Sequence, residues 1–366
     1  MSKFRTYGMQ TLVIIALAGI GLVSCAKQMQ ETGGDPVSFD SSLTETATKA
    51  TLPNNTTFAV FAWYQPGVIG GAAGAWSTGG WTPNFMYNQG VTYASSTYTY
   101  APVKYWPNNL ENTLSFWAYC PRNAAGLTLL QSSGGSAYSN TATTGIPYLH
   151  FTTVDGNALV DLMSSDFDAS VKDLSKPNLN TPVHFVFRHL LSRIVFHFVK
   201  VDDDTDNYEV RLTAVTIKNI FREASHPGDP SGSWSGHTDN GNLSVYADTT
   251  PLTTTDNPVV DKDGTLDDMA VMPIPQILTD TEALNTGATI YISYEVVPTG
   301  GGEAVSNDGE YLITDLHPGW EAPAGWDQNY QYTYNVRISP GGNPIVFSAS
   351  IVPWDSPVSW VYHHVD

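Results

Sequence analysis

The sequence predicts an all-β protein of sandwich type, and three observations carry that prediction. Short apolar or alternating runs recur between clusters of Gly, Pro, Asn and Asp, the pattern of antiparallel sheets closed by turns rather than of strands alternating with helices. Charged residues make up only 14% of the chain against 12% aromatics, so few segments have the Glu, Lys and Arg content of a solvent-facing helix. No window of about 15 residues keeps a 3.6-residue apolar period behind a helix cap, apart from the N-terminal apolar run and the stretch FRHLLSRI at 187–194. With 366 residues, the chain has room for two domains of about 150 residues each. No short internal repeat is evident.

Taken in order, residues 1–24 place Lys3 and Arg5 before an apolar core and small residues, the layout of a secretory signal that is cut away. The apolar run is shorter than the roughly 20 residues a membrane span needs and is interrupted by glycines. It closes on Leu22-Val23-Ser24-Cys25, which resembles the lipobox of bacterial lipoproteins and implies acylation at Cys25. Acyl chains contribute about 0.8 kcal/mol per buried methylene, enough when several are present to hold a protein on a membrane without a spanning helix. Cys120 is then left with no partner for a disulfide, so stability must come from burial. The formal charge of −19 and the lack of any basic cluster argue against nucleic acid as a partner.

Residues 25–49 are polar except for Val37, Phe39 and Leu43, whose even spacing predicts a short strand. The following TETATKATLPNN reads as an exposed connector with Lys49 as its one base. Beyond it, strands are predicted at FAVFAWY (58–64), TLSFWAY (113–119), VHFVF (183–187), RIVFHFVKV (193–201) and TIYISYEVV (289–297). In YQYTYNVRIS, Tyr332, Tyr334, Val336 and Ile338 share one face and Thr333, Asn335 and Arg337 the other. LSKPNLNT at 174–181 interrupts the strands and suggests domains of 50–178 and 179–366.

Motifs for chemistry are weak. His184, His189 and His197 are the densest histidines, but three or four converging ligands are not suggested; on a period of two, His184 and His197 point away from their strands' apolar stripes. VDDDTDN (201–207) has Asp at alternate positions, yet Asn207 stands where a calcium loop needs glycine and Thr213 where it needs Glu; VDKDGTLDD (260–268) fails likewise. There is no Gly-x-Ser-x-Gly elbow, Walker loop or zincin motif, so no enzyme, metal or cofactor is expected. The ring-rich stretch Trp76 to Trp106 has two readings. Trp76 and Trp81 are candidate glycan contacts, or the rings pack over the end of a sandwich.

Several segments together resemble the fimbrillins, type V pilins and their anchor and tip subunits from Gram-negative gut and oral bacteria. They are YAPVKYWPNNLENTLSFWAYCP, VHFVFRHLLSRIVFHFVKV, VMPIPQ, and GWDQNYQYTYNVRIS followed by IVFSASIVPW, spanning roughly Phe58 to Trp354. The resemblance implies two transthyretin-like Greek-key β-sandwich domains, export to the outer membrane through a lipid anchor, and assembly with other pilin subunits into an adhesive surface pilus. Assembly would proceed by strand exchange after a trypsin-like protease cuts, here at Lys49-Ala50, although arginine is commoner than lysine at that place in the family. The cut would remove residues 25–49 with the strand of Val37, Phe39 and Leu43. Val358, Trp360 and Tyr362, alternating with Ser359 and Val361 within residues 355–366, are the candidate donor. They equally suit a strand docked in the chain's own sheet. Stalk, tip and anchor roles stay open, as does a non-polymerising lipoprotein that binds host glycan or protein.

Overall fold

The computed structural model describes residues 34–43, 52–67, 82–141, 144–155, 159–177, 181–200, 207–251, 269–279, 287–317, 324–339 and 345–354. Within them the strands are β1 (Phe39–Ser42), β2 (Thr56–Gln65), β3 (Met86–Ala94), β4 (Thr97–Thr99), β5 (Thr113–Cys120), β6 (Leu127–Leu130), β7 (Tyr148–Thr152), β8 (Met163–Ser165), β9 (Val183–His189) and β10 (Arg193–Lys200). There follow β11 (Tyr208–His226), β12 (Ser235–Pro251), β13 (Ala270–Val271), β14 (Gln276–Ile277), β15 (Thr289–Pro298), β16 (Val305–Leu312), β17 (Gly325–Trp326), β18 (Tyr330–Ile338) and β19 (Val346–Pro353). A 3-10 turn, Ile313–Leu316, interrupts this list, and no α-helix occurs among the described residues.

The protein is all-β. A seven-stranded sheet runs β1-β9-β8-β5-β2-β3-β4, a four-stranded sheet β13-β10-β18-β19, and a third β16-β15-β11-β7-β6 with β12 also on β11. The continuous apolar run of β5 reflects its place inside the first sheet, where all eight of its residues are buried. The first core gathers Phe58, Phe61, Trp63, Phe116, Trp117, Phe185 and Phe187 against Leu149 and Phe151 of β7. In the second, Ile194 and Phe196 of β10 and Tyr332, Tyr334 and Val336 of β18 face Val210, Leu212, Val215 and Ile217 of β11 and Ile290 and Ile292 of β15.

One expectation, a possible helix, is corrected. The stretch 187–194 is no helix: Phe187 to His189 end β9, Arg193 begins β10, and Leu190 and Leu191 are buried in the link between them. The division expected at 178/179 falls before β9, yet β9 pairs with β8 and β1, and its Val183, Phe185 and Phe187 lie in the first core. That core extends through Leu191 and the second begins with Ile194, so the cores part inside an apolar run rather than at the Pro177 loop.

Candidate functional site

The described residues concentrate their unusual features around β1. It lies at the edge of a largely antiparallel sheet yet runs parallel to β9, with Phe39 opposite Val183, Asp40 opposite His184, Ser41 opposite Phe185 and Ser42 opposite Val186. The residues leading into it are clasped on the other side. Val37 N donates to Lys104 O (2.9 Å) and Trp106 N to Asp35 O (3.0 Å), while on the β9 side Val183 N donates to Ser38 O (2.8 Å). Lys176 pairs with Asp35 at 3.1 Å.

Alternation then decides which side chains enter the protein. Val37 and Phe39 are 1% and 4% exposed, while Ser38 between them is half-buried. The Phe39 ring sits 5.3 Å from Tyr100, 6.0 Å from Phe116 and 5.7 Å from Phe185, an aromatic pocket of edge and stacked contacts. The Tyr100 hydroxyl donates to Val37 O (2.7 Å) and accepts from Lys104 N, and burial pushes its pKa up to about 12. Tyr98 bonds Ser41 Oγ at 2.9 Å and its pKa is also raised, chiefly by burial. His184 lies 3.1 Å from Ser42 Oγ and 3.3 Å from Asp40 Oδ2. The site is therefore a four-residue ladder, a clasp and two filled apolar pockets, and beside them Ser42, His184 and Asp40 form a hydrogen-bonded row in which the Ser42 hydroxyl is fully buried.

At the opposite end of β9 lies Trp354, the last described residue. Trp354 follows β19, an edge strand that is half-buried or exposed throughout. Its ring stacks on His189 (centroids 4.0 Å apart, 5° between planes), Arg193 lies 5.9 Å over that ring, and the Trp354 backbone N–H donates to Asn329 O. Asp161 holds His189 Nδ1 at 2.7 Å.

Of the residues singled out in the sequence, Cys25, Lys49, Ala50, Trp76, Trp81, Val358, Trp360 and Tyr362 lie outside the described residues. Val37, Phe39 and Leu43 lie within them, Leu43 packed at the margin of the first core. In the ring-rich stretch, Trp106 is buried and Tyr93, Tyr98 and Tyr100 pack on the first core; Tyr87 is more exposed. The role of Tyr98, Tyr100 and Trp106 around β1 was not read from the sequence, because ring density alone does not say which strand the rings cover. The three central histidines do not converge. His184 meets Asp40, His189 meets Asp161 and Trp354, and His197 is 5% exposed because both faces of β10 are covered, with a pKa lowered by burial. Among the described residues no group of three or more His, Cys, Asp or Glu is placed to hold a metal ion, and no helix is long and apolar enough to cross a membrane. Cys120 is buried, its thiol pushed up by burial.

Residues 44–354 match the model of a protein family described as fimbrillin-like. The chain belongs to that family. The matched region of this fimbrillin-like chain begins just after β1 and ends at Trp354. Fimbrium subunit Fim1C of Phocaeicola vulgatus is 29% identical over 163 residues, 43% of this chain and 40% of the relative, so the match spans less than half of that protein's length. The crystal structure of a fimbrial protein from Bacteroides vulgatus has a similar fold, with a TM-score of 0.59 at 17% identity, covering 87% of this chain and 99% of the other.

Proposed function

We propose that this fimbrillin-like chain is a structural subunit of an adhesive surface pilus and that it joins its neighbours by giving up β1. On this reading it is exported as a lipoprotein anchored in the outer membrane at Cys25. A trypsin-like protease cuts at Lys49-Ala50, β1 leaves with the acylated segment, and a strand from residues 355–366 of a neighbouring subunit, carrying Val358, Trp360 and Tyr362, takes the vacated place.

The observation that supports this most is the way β1 is held. It is short, lies at a sheet edge, and has its sequence neighbours across a separate strand, yet it fills two apolar pockets. Fully burying a side chain such as Val or Phe contributes about 1.5–3 kcal/mol, so an emptied groove favours any strand that refills it. An open edge supplies the ladder donors and acceptors for that strand. The Lys49-Ala50 peptide lies between β1 and β2 in sequence, so one cut separates β1 from the body.

The test is to treat the full chain with a trypsin-like protease and run it by electrophoresis in mild detergent. A ladder of detergent-resistant multimers is expected from the wild type, and none from Lys49→Gln or from a chain ending at Trp354. Monomers alone after verified cleavage at Lys49 would overturn strand exchange. Lipid attachment is checked separately by incorporation of labelled palmitate, which Cys25→Ser should abolish.

A further inference from the structure

Arg188, Arg211 and Arg222 each meet a carboxylate, of Asp166, Glu209 and Asp239, at 2.9 to 3.0 Å. Arg122, just past the end of β5, meets none. Among the described residues its guanidinium makes no hydrogen bond or ion pair, and its Nε is buried without a partner. Acidic residues outnumber Lys and Arg by 35 to 16 in this chain, so an arginine kept from every carboxylate stands out. We propose that Arg122, with Tyr87 and Asn88 of β3, forms a binding site for a sugar that carries a carboxylate, such as a uronic acid. This rests on the adhesive role proposed above and gives that role a contact and a ligand class.

The sheet is shaped to hold this cation. On the row that crosses β3, β2 and β5, Ala59 pairs with Gly90 on one side and Tyr119 on the other, so two of the three places carry only a hydrogen or a methyl. The Arg122 side chain lies over that gap: a Cβ on residue 90 would stand 2.8 Å from its Nη1 and 3.3 Å from its Cδ. Beside it the ladder carries a bulge. Tyr87 and Asn88 together stand opposite Phe61 alone, and Asn88 adopts a φ of +48°. Bulges re-aim side chains, and a non-glycine residue held in the left-handed region carries strain of a kind that gathers at binding sites. Here both residues turn to the side of Phe61 and Tyr119. The Tyr87 ring meets Phe61 edge-on at 5.3 Å, and the Tyr119 hydroxyl donates to Asn88 Oδ1 at 3.1 Å.

The groups left free decide the ligand. Burial pushes the Tyr119 pKa up to about 12, against the opposing pull of the Asn123 backbone and the Arg122 charge, so the hydroxyl keeps the proton it gives to Asn88. That bond uses the Asn88 carbonyl oxygen and leaves its Nδ2 without a partner among the described residues. An amide nitrogen and a guanidinium are donors only, so together they select paired acceptors, and a carboxylate offers the arginine fork two oxygens at once. Tyr87 adds a wall. Its hydroxyl donates to Tyr138 O (2.9 Å) and its ring is braced by Phe61 and, with 5° between planes, by Tyr138, yet 38% of the residue is exposed. An exposed ring already fixed in place suits the apolar face of a pyranose, a face that an acidic peptide lacks. One such site binds weakly. Repetition along a fibre raises the overall affinity by roughly 10²–10⁴ with no new contact.

The uncut full chain is titrated with methyl glucuronide, methyl glucoside, acetate and tetraglutamate by saturation-transfer NMR. Methyl glucuronide is expected to bind about tenfold or more tightly than the glucoside, which has a hydroxymethyl in place of the carboxylate, and than acetate, which has no ring. Arg122→Gln should weaken glucuronide binding by about tenfold. Gly90→Ala keeps the charge but pushes the guanidinium aside, and should weaken binding several-fold with little change in melting temperature, because the atom it strikes is the end of a flexible side chain. Tyr87→Ala should remove the advantage of glucuronide over acetate. Equal binding of glucuronide and glucoside, or full glucuronide binding by either Arg122→Gln or Gly90→Ala, would overturn the proposal. Acetate or tetraglutamate binding as tightly as glucuronide would overturn the sugar as its occupant. The measurement uses uncut monomer, so a negative result leaves the pilus reading standing, and a missing multimer ladder leaves this site standing.

Discussion

Two buried histidines show how single residues tie this fold to pH. The Trp326 indole N–H donates to the Tyr334 hydroxyl oxygen (3.2 Å), and the same hydroxyl shares a hydrogen bond with His317 Nε2 (2.9 Å) in the buried interior. His226 accepts from Gly228 N at Nδ1 (3.2 Å) and donates from Nε2 to Gly232 O (3.1 Å). Burial pushes both imidazoles down to about 4 from an ordinary 6.5. Between those values the unfolded chain binds protons that the native chain does not, so stability falls as pH drops from about 6.5 to 4 and this loss ends below 4; each unit of depression is worth about 1.4 kcal/mol. Melting temperatures taken across that range should decline, and the decline should be shallower in His317→Gln and His226→Gln. An unchanged slope in both variants would place the acid sensitivity elsewhere. Gly228 is fixed by a second constraint. Its φ is +87° and an added Cβ would meet Pro147 O at 2.4 Å, a backbone atom that cannot swing aside. Gly228→Ala should cost about 1–3 kcal/mol in urea unfolding, and a neutral result would mean the loop reshapes freely.

Among the strands, β1 is the one whose loss can be felt locally. Phe39→Ala removes a ring from a pocket of three others, a change that typically costs about 3–5 kcal/mol in a core. Because β1 contributes only a short ladder and its clasp, much of that cost should appear as undocking of the strand rather than global unfolding. The amide of Val183, which donates to Ser38 O, should exchange with deuterium roughly a hundredfold faster, with amides of β18 unchanged. Equal acceleration across both cores would show that β1 cannot leave alone. The strands that were legible in the sequence have one uninterrupted period or one uninterrupted apolar run: β2, β5, β9, β10, β15 and β18 coincide with the segments expected. The nineteen-residue β11 was missed for a reason that lies in its ladder with β15. Leu212 pairs with Tyr294 but Ala214 with Ser293, so Thr213 is an extra residue that flips the parity. Val210 and Leu212 before it, and Val215 and Ile217 after it, all reach the second core, and no fixed period of two connects them. The groove of β1 was half legible: alternation of Val37 and Phe39 marked the strand, whereas its walls come from residues 98–106, 116 and 185, far apart in sequence.

The whole molecule is built so that its two cores share covalent and hydrogen-bonded elements. β11 contributes Val210 to Ile220 to the second core, then continues until Ala224 enters the first and its end pairs with β7. Around this continuous strand, Trp234 Nε1 donates to Leu190 O (2.6 Å), Gln328 Nε2 to Pro230 O (2.6 Å), Ser192 Oγ to Asp327 O (2.9 Å) and Asn329 N to Leu191 O (3.1 Å). The Gln276 side chain of the VMPIPQ segment completes the junction, accepting from Phe221 N and donating to Phe221 O, as a neighbouring strand would. Loop signals such as Pro177 could not reveal this joint, because the sequence that crosses it, Phe187 to Phe198, has no Gly or Pro to mark it. In a pilus of the proposed kind, tension would enter at the groove beside β9 and leave through β19, passing through β10 and β18, which run parallel over eight paired residues. A load path through both cores favours their unfolding together, since melting either one strips partners from β11. Calorimetry of the uncut chain should therefore give one transition, with van't Hoff and calorimetric enthalpies equal. Two resolved transitions, each with its own enthalpy, would show that the cores are independent and that β11 acts as a tether between them.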